Sequence, residues 1–250
     1  MSDKIEFLLR KANEEQDHRE VVRIASENMV DLNKNSLNLS IRSAYSLQDF
    51  ETSLDLSRKA SKSHPNESMF FLFEARSLNQ MGEKNKALEV YERLVASHPD
   101  VQESYIMLAR ARYSEGDYEG VIGKIDEWPG VLEEQIPMLI LKARSFQALA
   151  FDDEAHDEWA KIVALDPENV EAQFRMGQID YNKRRYEDAK ERLEATLQID
   201  SEYRAARRLI GLCYDALGET GAASEWLLKE AISDPLMYSN WLKIVDVLLK

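Results

Sequence analysis

Residues 136–169 read IPMLILKARSFQALAFDDEAHDEWAKIVALDPEN, and this stretch decides the fold. It carries a small residue at Ala143, another at Ala155, a large aromatic at Trp159 and the dipeptide Asp166-Pro167. Working outward, Pro167 is in step with Pro65, Pro99 and Pro235. The interval from Pro65 to Pro99 is doubled between Pro99 and Pro167, and doubled again between Pro167 and Pro235. Ser53, Ala87, Val121, Ala155, Ala189 and Ala223 follow the same step, as do Ile41, Ala75, Ala109, Ala143, Gly177 and Gly211. A bulky series runs Tyr91, Ile125, Trp159, Leu193 and Leu227. Internal repetition of this length marks an array of supersecondary units, each unable to bury its apolar face alone.

Each unit divides into two amphipathic stretches. In residues 170–203 the first carries Phe174, Met176, Gly177, Ile179 and Tyr181, and the second places Ala189, Leu193 and Leu197 on one stripe. Apolar side chains at i, i+4 and i+8 belong to a helix, not a strand. The small series then has a physical role, since two antiparallel helices approach closely only where bulk is missing at the crossing. Proline ends each unit because its ring disfavours helix in the residue before it. Inside a unit the turn reads Met81-Gly82-Glu83, Glu115-Gly116-Asp117 or Leu217-Gly218-Glu219. There glycine is expected to end the first helix in the left-handed region, and the acid to cap the second.

Composition agrees. Of 250 residues 44% are apolar, while nine Gly and six Pro leave too little punctuation for a β-sandwich or barrel. One cysteine, Cys213, excludes an internal disulfide framework. No apolar run approaches the roughly 20 residues of a membrane span, and Met1-Ser2-Asp3-Lys4-Ile5-Glu6 lacks the order of a secretion signal. A cytoplasmic setting is the expectation, with no membrane insertion. A net charge of −14 makes nucleic acid a poor partner.

The pattern resembles the tetratricopeptide repeat (TPR) family, a 34-residue helix–turn–helix with small residues at its eighth and twentieth positions and proline at its thirty-second. The resemblance implies an all-α, right-handed α-solenoid forming one domain over residues 1–250. Its seven units would fall at about 2–33, 34–67, 68–101, 102–135, 136–169, 170–203 and 204–237. A terminal helix would follow at 238–250. The first unit is placed by Leu8, Leu9, Ala12, Val21, Ile24 and Ala25. Unit 102–135 departs from the pattern. Gly120 and Gly123 weaken its second helix and Trp128-Pro129-Gly130 ends it early, which reads either as a shortened helix with a loop at 129–135 or as a hinge. Residues 238–250, with Trp241, Leu242 and Ile244 among seven apolar side chains, are too apolar for a capping helix. They suggest either an array cut short or self-association through that end.

Little in the chain points to catalysis. The four histidines do not converge, so no metal site is expected. Cys213 reads as a packed residue, and no Gly-rich phosphate loop or nucleophile elbow occurs. No cofactor and no enzymatic activity are expected. One constellation remains. The ninth position of four successive units is arginine: Arg42, Arg76, Arg110 and Arg144. In TPR proteins that position looks into the concave groove, and nearby groove positions hold Tyr45, Asn79, Tyr113, Gln147 and Asn182. Guanidinium forks pair bidentately with carboxylate or phosphate, and side-chain amides can hold a peptide backbone. The resemblance thus implies a protein–protein interaction scaffold whose groove takes an acidic or phosphorylated peptide. Two alternatives stand beside it. The arginines pair with acids on adjacent helices, such as Glu74 or Glu103, or the chain is the repeat arm of a larger enzyme such as a glycosyltransferase.

Overall fold

The computed structural model describes residues 2–28, 32–131 and 135–233, together with residue 246. Apart from residue 246, the expected terminal helix at 238–250 lies outside the described residues, as does part of the loop at 129–135, Glu133 included. Among the described residues there are fourteen α-helices and no strand. They form seven antiparallel pairs: α1 (Ser2–Glu14) with α2 (His18–Glu27), α3 (Lys34–Ser46) with α4 (Phe50–Ser63), and α5 (Ser68–Gln80) with α6 (Lys84–Ser97). Then come α7 (Gln102–Glu115) with α8 (Tyr118–Asp126), and α9 (Ile136–Ala148) with α10 (Asp152–Leu165). The last are α11 (Val170–Asn182) with α12 (Tyr186–Ile199), and α13 (Arg204–Ala216) with α14 (Thr220–Ser233). From α3 onward the first helices begin at Lys34, Ser68, Gln102, Ile136, Val170 and Arg204, all one repeat apart. The second helices keep the same interval from α4 to α14.

The chain divides into two compact units, Met1–Gly130 and Val131–Lys250. In each, every helix packs on its sequence neighbours, and first helices also touch across repeats, α3 on α5 and α11 on α13. The interior is built from the periodic series. Ala75, Ala109, Ala143, Ala155, Ala189 and Trp159 have no exposed surface. Where the eighth position is glycine, the bulky partner fills the space: a Cβ on Gly177 would stand 2.9 Å from Leu193 Cγ, and one on Gly211 2.8 Å from Leu227 Cγ. In the first repeat Ile5, Leu9 and Ala12 face the interior, whereas Leu8 is exposed. The stripe at i, i+4 and i+7 admits Ile5 and turns Leu8 outward.

Every turn inside a pair holds one residue in the left-handed region. Glycine fills it at Gly82, Gly116 and Gly218 (φ 79 to 81°). The equivalent residues elsewhere are Gln16, Gln48, Ala150 and Arg184 (φ 56 to 62°), so the geometry recurs without its usual residue. Capping by the following acid holds at Asp117, whose carboxylate accepts from the Gly120 N–H at 3.0 Å. It fails at Glu83, which occupies the N-cap position without a capping bond and pairs with Lys86 at 3.0 Å instead. The extra methylene of glutamate carries its carboxylate past the N–H groups that the shorter aspartate reaches.

The aberrant repeat has a short second helix, nine residues in α8 against fourteen in α6 and α10. Beyond it the Trp128 ring meets Tyr105 edge-on at 5.2 Å and lies across Gly130, where any Cβ would strike it. Pro137 sits in the first turn of α9, where its missing N–H has no helical partner to lose.

Candidate functional site

The ninth position of a repeat lies on the first helix one residue beyond the buried small position. The four arginines there have two different fates. Arg76 on α5 clasps Glu103 on α7: its Nε donates to Oε1 at 2.8 Å and its Nη2 donates to Oε2. Arg144 on α9 clasps Glu171 on α11 in the same way, at 2.9 and 2.6 Å. Both acids occupy the second position of the repeat that follows their arginine. The Glu103 hydrogen bond raises the Arg76 pKa further above its already high value. Glu103 also accepts from the Tyr91 hydroxyl at 3.4 Å, and burial holds that phenol well above its ordinary range.

Arg42 and Arg110 have no such acid. The second positions of the repeats after them are Met69 and Pro137, neither of which accepts a strong hydrogen bond through its side chain. Both arginines are exposed, and neither has a hydrogen-bond or ion-pair partner among the described residues. Glu74, the other acid that could have neutralised this row, is buried and is taken by Arg58 of α4 at 3.2 Å and Arg93 of α6 at 3.4 Å.

Each unpaired arginine borders a cleft within the unit Met1–Gly130. One, of about 410 Å³, is walled by Asn13 of α1, His18 of α2 and Asn38, Leu39, Arg42 and Ser46 of α3. The other, of about 250 Å³, is walled by Asn79 of α5, Lys84 and Tyr91 of α6 and Met107, Arg110 and Ser114 of α7. Leu39, Arg42 and Ser46 hold the same repeat positions as Met107, Arg110 and Ser114, so these are one cleft recurring two units apart. In the first, His18 Nδ1 lies 3.1 Å from the Ser43 hydroxyl, and Asn38 Oδ1 is enclosed without a hydrogen-bond partner.

The remaining sequence-predicted residues fall into two groups. Tyr45 packs edge-on against Phe50 at 5.3 Å and Phe73 at 5.5 Å, and Tyr113 packs on Tyr118 at 5.3 Å. Gln147 accepts from the buried Trp159 indole at 3.0 Å and so serves its own repeat. Asn79 is half-buried beside Arg110, and Asn182 is exposed at the end of α11. The role of His18 and of Glu171 was not read from the sequence, whereas Glu103 was among the acids expected to pair with this row and does close Arg76. An acid at the second position of the following repeat is the signal that distinguishes a closed fork from an open one.

Cys213 is fully enclosed, and burial pushes its thiol up to about 11. His156 stands 3.5 Å from Asp180, and His64 packs edge-on against Phe70. Among the described residues no cluster of His, Cys, Asp and Glu could hold a metal ion, and no helix is long and apolar enough to cross a membrane.

The tetratricopeptide repeat model matches residues 72–127 and 174–237, spans that begin inside α5 and α11. This chain is a tetratricopeptide repeat protein. The C-terminal part of a TPR repeat-containing protein from Cytophaga hutchinsonii superposes with a TM-score of 0.74 at 14% identity, covering 99% of each chain. YrrB, described as a TPR protein with an unusual peptide-binding site, gives 0.66 at 17% identity over 75% of this chain and 96% of its own. PilF of Pseudomonas aeruginosa gives 0.65 at 14% identity over 85% and 96%. At such identities the likeness is one of fold. No curated protein matches the sequence. The TPR fold is in general that of a protein–protein interaction scaffold, and TPR repeats are generally non-catalytic.

Proposed function

We propose that this TPR protein holds an extended acidic segment of a partner against the face formed by its first helices. Arg42 and Arg110 serve as the charge partners, and Asn79, Tyr45 and Tyr113 frame the same face. The observation that carries this reading is the pair of exposed, unpartnered guanidiniums bordering equivalent clefts in a chain of net charge −14. A protein so acidic repels acidic segments overall, so a local cationic pair is where one can be accommodated. Arg76 and Arg144 belong to the framework, since their forks are closed by Glu103 and Glu171. YrrB, which shares the fold, is described as having a peptide-binding site.

A random peptide library displayed on phage and selected against the purified chain tests it. Selected peptides are expected to be enriched in Asp and Glu, and the variant carrying both Arg42→Glu and Arg110→Glu should lose them with helicity and melting unchanged. Acid-free ligands that bind the double variant as well as the parent would end the proposal.

A further inference from the structure

The two closed forks specify what the two open ones accept. At four repeats the same backbone position presents an arginine, and at two of them the structure fills that arginine with a glutamate carboxylate through Nε and Nη2. In the repeats that follow Arg42 and Arg110 the second sequence position holds Met69 and Pro137 in place of a glutamate. We infer that the partner supplies the two missing carboxylates, one to Arg42 and one to Arg110, from Asp or Glu side chains set about six residues apart on a single extended strand. The inference rests on the acidic-segment reading above and gives it a chemistry and a register.

The register follows from the fold. α3, α5 and α7 are consecutive first helices, and neighbouring packed helices lie roughly 10 Å apart, so the two arginines are separated by about 20 Å. An extended chain advances about 3.3 Å per residue, so about six residues span that distance. Carboxylate is chosen over phosphate because the chain itself places carboxylates on this position twice, and a planar fork matches a planar carboxylate through two parallel bonds.

The test uses fluorescein-labelled fourteen-residue Gly/Ser/Ala peptides read by fluorescence anisotropy against the full chain. They carry one glutamate, or two glutamates three, six or nine residues apart, or two phosphoserines six apart. The six-residue glutamate peptide is expected to bind at least tenfold tighter than the single-glutamate and three-residue peptides. Arg42→Gln or Arg110→Gln should each reduce it to the single-glutamate level. Both side chains are exposed, so these variants should retain the parent circular dichroism. Equal binding at all spacings, with both variants still impaired, would overturn the register and leave the acidic-segment reading standing. Unchanged binding in both variants would overturn the two together. A phosphoserine peptide preferred tenfold over its glutamate counterpart would overturn the carboxylate assignment. Sedimentation of the chain alone covers a remaining occupant: a concentration-dependent mass abolished by Arg42→Gln would assign the open forks to a second copy of this chain and overturn the proposal.

Discussion

Cys213 shares an apolar cluster with Ala189, Leu193, Ala206 and Ile210, where the cost of burying a thiolate outweighs the attraction of Lys190. Burial favours the neutral thiol in the folded state and moves its ionisation from 9.0 to about 11. The folded state therefore binds this proton more tightly than the unfolded chain does. Its contribution is fully present below about pH 9 and is lost as pH rises towards 11. Urea midpoints measured from pH 8 to 11 should fall more steeply for the parent than for Cys213→Ala, and parallel curves would show the thiol to be silent. A second test at single-residue level concerns the left-handed turn residues. Ala150, at φ 61°, carries a side chain where glycine is free of strain, whereas Gly82 already relieves the same position two repeats earlier. Ala150→Gly should raise stability by about 1 kcal/mol and Gly82→Ala should lower it by about the same. Thermal denaturation of the two variants should thus give shifts of opposite sign, and nothing stands within 4 Å of the new Cβ at residue 82 to complicate the second.

Two glycines show that a helix here is governed by its crossings as much as by its propensity. Replacing glycine by alanine inside a helix gains about 1 kcal/mol from the backbone alone. At Gly123 of α8 the added Cβ meets nothing within 4 Å, so Gly123→Ala should realise that gain. At Gly177 of α11 the Cβ would stand 2.9 Å from Leu193 Cγ and 3.2 Å from the Ala189 carbonyl oxygen. Overpacking costs about 1–3 kcal/mol, so Gly177→Ala should lose about 1 kcal/mol net. Chemical denaturation of the pair checks the sign of each, and two gains would mean that α11 and α12 can separate freely. The same crossings explain what was legible in the sequence. Helix pairing and period are written in the small and bulky series because packing forces those residue types. The turn conformation was legible only at Gly82, Gly116 and Gly218, since Gln16, Gln48, Ala150 and Arg184 adopt it under tertiary constraint with no residue signal. The arginine row was visible as a row. Its division into closed and open forks was not, because that depends on Glu103 and Glu171, which lie a repeat away and become neighbours only once the helices stack.

Charge is the property that belongs to the chain as a whole. With 46 acidic and 32 basic residues, the folded state crowds like charges that an unfolded chain spreads apart. The exposed pairs that partly offset this, such as Lys59 with Asp55 and Lys229 with Glu225, contribute little because solvent screens them. Salt screens both effects, shortening the Debye length from about 10 Å at 0.1 M to about 3 Å at 1 M. Net repulsion acts over more charges and longer distances than the surface pairs do, so relief of repulsion should dominate for stability. Capture of an acidic segment by Arg42 and Arg110 answers to salt in the opposite sense, because the two exposed attractions that hold it outweigh the repulsion from the net charge and are themselves screened. Raising sodium chloride from 0.05 to 0.5 M should therefore raise the melting temperature while weakening the two-glutamate peptide several-fold, both read on one preparation. If stability and affinity fell together, the surface pairs would outweigh the net charge in holding the fold. If affinity rose with salt, the guest would be held by apolar contact and the open forks would have no part in holding it.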